Sequence, residues 1–395
     1  MIESLKDIPR LLMPLSKQKQ KAYSMLEKYA PEKDLKTAKY LLKTKKIDIL
    51  IKKIGASPNL VTDKIYPHLK TKIKNDEINE FVSNINGTVL KKVKLKAYKE
   101  FSKDPEEKIL SLISPNIYGL DIIKKAVMIQ LFSTDPVHIL LLGDPGTGKT
   151  DILKSAAKLH PISSFGLGSG TSRAGLGVSV RGKKIIPGLL PQADEGICCI
   201  DELNLMKRTE YAYLYSAMEK GFITYNKANK HIKLKTRVRI LATANPKGDK
   251  FVGRTTDILK KQIPFDSALI SRFNLVFLIR KPGVDGFIHI TKKIIKDHKK
   301  KINKKDMEFV KDYIDYTQRI CVNFSNKYES DVVSFIKKIK KHEDMFLIEI
   351  TPRIVIGIVR MSKAYAKMHL NKNVSKSDVL KAIKIVKKSL FFKKK

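Results

Sequence analysis

A chain of 395 residues, 43% of them hydrophobic, holds enough apolar material for a buried core and two or three domains, which excludes global disorder. No run of about 18 apolar residues occurs, so no membrane-spanning helix is expected; three cysteines without a Cys-x-x-Cys pair support neither a zinc module nor a disulfide framework. Lys plus Arg total 79 against 39 Asp plus Glu, and the resulting +40 favours polyanions, nucleic acid first among them.

The opening stretch MIESLKDIPRLLMPL lacks a signal-peptide layout, and a cytoplasmic protein is the expectation. Residues 1–104 read as a basic, mostly helical region: Leu35 to Ile54 places apolar residues at helical spacing among lysines, Ser57 to Pro67 is rich in turn formers, and Gly87 to Leu90 suits a short strand. Residues 105–281 alternate strand and helix signals. Val137 to Leu142, Gly196 to Ile200, Val238 to Ala244 and Asn274 to Ile279 are apolar runs fit for buried strands, with helices at Lys149 to Lys158 and Thr209 to Glu219. The expected fold class is α/β, a parallel sheet flanked by helices. Residues 282–395 read as all-helical. Pro352 suits a first helical turn, with Ile354, Ile358, Met361 and Tyr365 on one face, and Ser375 with Asp378 forms a capping box before Val379 to Val386. The terminal lysines 393–395 read as a frayed basic end.

Gly143-Asp144-Pro145-Gly146-Thr147-Gly148-Lys149-Thr150 fits the P-loop pattern G-x-x-x-x-G-K-[ST], after an apolar strand and before a helix. Glycines let backbone N–H groups wrap phosphates at a helix N-terminus, Lys149 reaches the β- and γ-phosphates of ATP, and the Thr150 hydroxyl holds Mg2+. About 50 residues on, an apolar strand ends in Asp201-Glu202. Asp201 is placed to bind the metal, and Glu202 to orient and deprotonate the attacking water. Asn245, closing the next apolar strand, is placed to hold that water or the γ-phosphate. Arg272, just before the fourth strand, is a candidate guanidinium for the developing charge, and Arg353 after Thr351-Pro352 is a second; such arginines often come from a neighbouring subunit.

Taken in order, these motifs resemble the ATPase core of the minichromosome maintenance (MCM) helicases, within the AAA+ class. The resemblance runs from about Ser102 to Val386. It rests on Ile117-Tyr118-Gly119 with Ile123 to Ala126 and Gln130 to Phe132, then Gly196 to Glu202, Ala217-Met218-Glu219, Ala242 to Pro246, Leu269 to Phe273, Thr351-Pro352-Arg353 and Ala364 to Met368. It implies an α/β AAA+ domain over 105–281 with a helical lid over 282–395. It also implies an insertion at Thr171 to Pro191 and a hairpin at Phe222 to Lys235 that points into a ring channel and touches DNA. Lys227 matches the family's hairpin lysine, with Lys230, His231 and Lys233 as further phosphate contacts. Departures are Leu203-Asn204 where Phe-Asp usually follows the two acids, Asn274 where Asp usually follows Ser-Arg-Phe, and the lack of a recognisable N-terminal barrel with zinc ligands or a C-terminal winged helix.

The resemblance implies an ATP-dependent DNA helicase or translocase in DNA replication, hydrolysing ATP with Mg2+ at subunit interfaces. The implied assembly is a homo-oligomeric hexameric ring, or a hetero-oligomer with another MCM-type subunit, on single- or double-stranded DNA. The alternative is an accessory or regulatory AAA+ ATPase that binds a full-length helicase or remodels a replication complex.

Overall fold

A computed structural model describes residues 94–390 except 182–183, 228–229, 249, 254 and 298–302. The expectations for residues 1–93 and for the terminal lysines lie outside the described residues. The chain divides into two compact units, Met1–Phe101 and Ser102–Lys395. In the first, the described residues 94–101 are helical; the rest of this description concerns the second.

Its centre is a five-stranded parallel sheet ordered β2-β5-β8-β1-β9. The strands are β1 (Ile139–Gly143), β2 (Ser163–Leu167), β5 (Ile197–Asp201), β8 (Arg239–Ala244) and β9 (Leu275–Ile279). β1, β5 and β8 are buried along their whole length, as continuous apolar runs require when helices cover both faces. The registers, Ile139 opposite Leu241 and Leu275, and Ile197 opposite Arg239, keep the strands flush, so their carboxyl ends form one edge and their amino ends the other. Four of the five strands are the apolar runs seen in the sequence. The fifth, β2, is an edge strand of sequence SSFGL, with Leu167 exposed, and carries too little apolar character to announce itself.

α1 (Glu106–Leu112), α2 (Asp121–Phe132) and α3 (Lys149–Leu159) precede and follow β1. α2 is buried along most of its length, and its Gln130 side chain donates to the carbonyls of Val137 and Ile240, tying it to the approach to β1 and to β8. Between β2 and β5 the chain forms α4 (Arg173–Leu176), a small hairpin of β3 (Val178–Arg181) and β4 (Lys184–Pro187), and α5 (Leu189–Gln192). α6 (Tyr211–Lys220) leads into a second hairpin of β6 (Phe222–Lys227) and β7 (Lys230–Lys235), and α7 (Thr256–Lys261) and α8 (Ser267–Ile270) lie before β9.

The remainder is helical: α9 (Val284–Asp297), α10 (Lys304–Gln318), α11 (Glu329–Lys340), α12 (Pro352–Met368) and α13 (Lys376–Leu390). Pro352 opens α12, and Ile354, Ile358, Met361 and Tyr365 are its buried face. The capping box is present: the Asp378 N–H donates to Ser375 Oγ while Asp378 Oδ2 accepts from the Ser375 N–H. Arg239, at the amino edge of β8, is buried and has no carboxylate partner among the described residues. It donates to the carbonyls of Gly196, Glu195 and Ser133, to Gln318 Oε1 of α10 and to His160, so one guanidinium binds the sheet to the helical region. Among the described residues no helix is long and apolar enough to cross a membrane.

A second tie runs through Glu106 on α1, which accepts from Lys381 on α13 and lies 3.9 Å from His369 beyond α12. The neighbouring His369 ring, then Lys381, hold the Glu106 carboxyl down at about 2 against the opposing effect of burial, and the same pairing raises the His369 pKa. Glu106→Gln should lower stability at pH 6 by about 1 kcal/mol, the upper end for a half-exposed pair, or about 2–4 °C in Tm. A depressed carboxylate stabilises above its ordinary pKa and loses that contribution as pH falls, so the gap between wild type and variant closes toward pH 2. It also narrows as pH rises through the raised His369 pKa, leaving the Lys381 share. Thermal melts from pH 2 to 9 measure both limbs.

Candidate functional site

The P-loop leaves the carboxyl end of β1 and turns into α3. Gly146 and Gly148 adopt positive φ of 73° and 82°, which L side chains rarely tolerate, and nothing lies within 4 Å of where a Cβ on Gly146 would sit. A Cβ on Gly148 would meet Ile117 Cδ1 at 2.7 Å, so the Ile117-Tyr118-Gly119 segment is pressed against the loop where α3 begins. The unpaired N–H groups of the first turn of α3 and the positive end of its dipole face this cradle. Lys149 is buried, its Nζ donating to the carbonyls of Gly143 and Asp144 at 2.7 Å each. Burial lowers its pKa to about 8, against the opposing pull of Asp144, Asp201 and Glu202.

Asp144 is committed to the loop's own architecture. Its N–H donates to Ile279, Oδ1 accepts from the Phe251 N–H and Oδ2 from the Lys281 N–H. With Pro145 lacking an N–H, the loop's phosphate-facing donors come from Gly146 to Thr150.

Asp201 and Glu202 end β5 on the same edge of the sheet. Thr243 on β8 joins them: its hydroxyl donates to Asp201 Oδ1 and accepts from the Glu202 N–H at 2.9 Å. Glu202 takes a left-handed conformation, φ 52°, which turns the chain sharply after the buried strand. Gly168 closes this turn from the β2 side; its N–H donates to Asp201 O at 2.7 Å, and a Cβ there would meet Glu202 O at 2.2 Å. Asn204 is one of the departures from the family pattern, and its side-chain oxygen accepts from the Asn245 N–H at 3.0 Å, joining the turns that follow β5 and β8. The hard oxygens of Thr150 and Asp201 beside an open N–H cradle suit a Mg2+–nucleoside triphosphate: these two residues would hold the metal, which would supply charge neutralisation to the phosphates.

Arg272 and Arg353 lie elsewhere. Arg272 directly precedes β9, and Asn274 pairs with His138 at the start of β1, so both sit at the amino edge of the sheet. Flush five-residue strands separate that edge from the P-loop by roughly 15 Å. Glu219, the last acid of α6, gathers the arginines: Oε2 meets Arg272 at 3.0 Å and Oε1 meets Arg353 at 3.4 Å. Arg353 also donates to Ser271 O at 2.8 Å. Asn274, the second departure, accepts from the His138 N–H and donates through Nδ2 to Arg353 O at 3.2 Å. An aspartate could not make the second bond. The sequence pattern brought forward Glu219 only as part of a motif and did not single out Thr243 or Gly168; the run Ala242 to Pro246 held the signal for Thr243.

The predicted lysine hairpin is present, with Lys227 paired to Lys230 at its tip and Thr224 to Lys233 lower down. Lys233 Nζ stands 3.8 Å from the Phe222 ring centroid, at the hairpin base. The insertion at Thr171 to Pro191 forms its own hairpin, on which Ile185 and Ile186 are exposed.

Two family models match: the MCM P-loop domain over residues 94–298 and the MCM AAA-lid domain over 308–390. The chain is 29% identical over 342 residues to the minichromosome maintenance protein MCM of Saccharolobus solfataricus, covering 80% of this chain and 49% of that protein. It is 32% identical over 314 residues to the DNA replication licensing factor mcm4 of Schizosaccharomyces pombe, covering 70% and 34% respectively. The chain thus spans about half or less of the length of these curated relatives.

The lowered Lys149 pKa carries a pH signature. Polyphosphate favours the charged ammonium, so binding near pH 8 takes up a proton, and affinity falls as pH rises past the free-state value. The dissociation constant of a fluorescent ATP analogue should be flat from pH 6.5 to 7.5 and rise about tenfold per unit above about 8. A flat profile to pH 9.5 would remove Lys149 as the titrating contact.

Proposed function

The chain belongs to the MCM family, and from that premise we propose that it is an ATP-dependent DNA translocase whose ATP sites are completed between subunits. The observation that carries this reading is the roughly 15 Å of parallel strand between the P-loop edge and the arginine edge. Lys149, Thr150, Asp201, Glu202 and Asn245 act from one subunit: N–H groups and Lys149 bind the phosphates, Thr150 and Asp201 hold Mg2+, and Glu202 activates water turned toward the γ-phosphate by Asn245. The metal, when bound, neutralises charge on the β- and γ-oxygens. Arg272 and Arg353 act on the neighbour's nucleotide. Such a head-to-tail contact is heterologous, and it closes into a ring when its rotation permits. A homo-oligomeric hexamer is the form proposed; a mixed ring with another MCM-type subunit uses the same two edges.

DNA is the proposed track. The +40 charge and the hairpin with Lys227 opposite Lys230 at its tip favour phosphate contacts, which are strongly salt-dependent. The relatives' printed names, a minichromosome maintenance protein and a DNA replication licensing factor, support a replicative setting.

The purified chain with ATP should hydrolyse it faster with single-stranded DNA and show a mass several times 44.9 kDa. Lys149→Ala and Arg272→Ala should each lower turnover about 10³-fold or more. Mixed in equal amounts, they should regain about a quarter of wild-type activity, because one mixed interface in four unites an intact P-loop with an intact arginine. Monomers that hydrolyse ATP, or mixtures that stay inactive while each variant assembles, would exclude shared sites. Lys227→Ala should lower the ratio of DNA-stimulated to unstimulated turnover several-fold, and an unchanged ratio would remove the hairpin as the DNA contact. Turnover appearing only with a larger helicase present would mark an accessory ATPase instead.

A further inference from the structure

Arg272 is held by more than Glu219. One turn earlier on α6, at the i, i+4 spacing that places side chains together, stands Tyr215. The Arg272 guanidinium carbon lies 4.5 Å from the Tyr215 ring centroid, and Arg272 Nε is buried with no hydrogen-bond partner among the described residues. The Tyr215 hydroxyl donates to Asp266, 3.3 Å from each carboxylate oxygen. Asp266 in turn caps α8, accepting from the Leu269 N–H at 2.8 Å, and α8 is the turn that delivers Arg272. Arg272 Nη1 closes the circuit by donating to Ala268 O of that turn at 2.6 Å. One tyrosine therefore touches the arginine twice: its face carries the guanidinium, and its hydroxyl grips the residue that fixes the backbone beneath it.

Aromatic packing alone does not account for this. Tyr215 also meets Tyr211 edge-on, with ring centroids 6.4 Å apart, and phenylalanine would serve that contact equally well. The hydroxyl-to-cap bond requires tyrosine, and the guanidinium over the ring face is the geometry of a cation–π pair.

We propose that Tyr215 is the positioning residue of the arginine that completes a neighbour's ATP site, setting both the direction of the Arg272 side chain and the conformation of the turn that carries it. The proposal rests on the reading of Arg272 as that arginine. Glu219 alone leaves the guanidinium one charged anchor on an exposed side chain; the ring adds a plane and the Asp266 bond a fixed origin. Burial and the nearby Asp266 raise the Tyr215 pKa, so the hydroxyl remains a donor across the working pH range.

The test is steady-state ATPase of the full chain in wild type, Tyr215→Phe, Tyr215→Leu, Arg272→Ala and Lys149→Ala forms, alone and in equal mixtures. Misaiming a transition-state group by about 1 Å costs about 10²-fold, so Tyr215→Leu should lower kcat about 10- to 100-fold. KM for ATP should change by less than about twofold, because the P-loop is on the opposite edge. Tyr215→Phe keeps the ring and loses one hydrogen bond, and should fall about two- to tenfold. Mixing Tyr215→Leu with Lys149→Ala should restore turnover, since the partner supplies a well-aimed arginine to the intact P-loop.

Wild-type kcat in Tyr215→Leu beside a collapsed Arg272→Ala would overturn the proposal and leave Arg272 in its role. A Tyr215→Leu chain that is folded by circular dichroism but not rescued by Lys149→Ala would also overturn it. Full turnover in Arg272→Ala would remove the underlying reading and Tyr215 with it. If Tyr215→Leu does not fold, Tyr215→Phe decides: unchanged kcat overturns the proposal.

Discussion

The length of a parallel strand is the constraint from which the rest of this structure follows. β1 and β9 run flush, Ile139 opposite Leu275 and Gly143 opposite Ile279, so whatever stands before β9 is separated from whatever follows β1 by the whole length of the strands. The P-loop and Asp201-Glu202 follow their strands; Arg272 precedes its own. No single side chain is long enough to close that gap. Under the proposed reading, phosphate-binding groups and charge-stabilising arginines on opposite edges make a site that one copy does not complete.

Each edge is internally tied in a way that makes it a unit. On the carboxyl edge Thr243 binds Asp201 and the Glu202 backbone together, and Asn204 reaches across to Asn245, so the turns that follow β5 and β8 are tied to each other. On the amino edge Glu219 gathers both arginines and Asn274 joins β1, β9 and the first turn of α12. Gly357 permits that docking, since a Cβ there would stand 3.3 Å from Asn274 Cβ. The lid helix that carries Arg353 is thereby seated on the same joint as Arg272, and the two arginines present themselves together.

Much of this was legible in the sequence, for identifiable reasons. Strands buried on both faces must be apolar throughout, which is why β1, β5, β8 and β9 stood out; β2, at the edge and half-exposed, pays no such compositional tax and was missed. The P-loop was readable because its glycines are needed for backbone conformations, as the positive φ of Gly146 and Gly148 illustrates. Thr243 and Tyr215 were not readable as connectors, because a threonine in a buried strand and a tyrosine in an amphipathic helix look the same whether or not their hydroxyls bridge distant groups. The two departures from the family pattern, Asn204 and Asn274, became intelligible only as donors and acceptors in three dimensions. The commitment of Asp144 to the backbone of residues 251 and 281 likewise depends on contacts more than 100 positions away.

The hairpin has a position in the chain that bears on how nucleotide state can reach DNA. β6 continues directly from α6, the helix of Tyr215 and Glu219, and β7 runs through Thr236 into β8, the strand that carries Thr243 and leads into Asn245. The Thr236 N–H donates to Gly221 O at 2.8 Å, closing the base of the hairpin at the point where both connections enter. Under the proposed reading, one leg of the hairpin is covalently continuous with the support of the arginine given to one neighbour, and the other with the strand that senses the subunit's own γ-phosphate. A change in either site acts on the hairpin through a few residues of regular structure rather than through a long path of side chains. The α6–β6 junction carries one further tie, the Ser216 hydroxyl donating to Phe222 O at 2.7 Å, so the helix of Tyr215 and Glu219 is bonded as well as linked to the first strand of the hairpin.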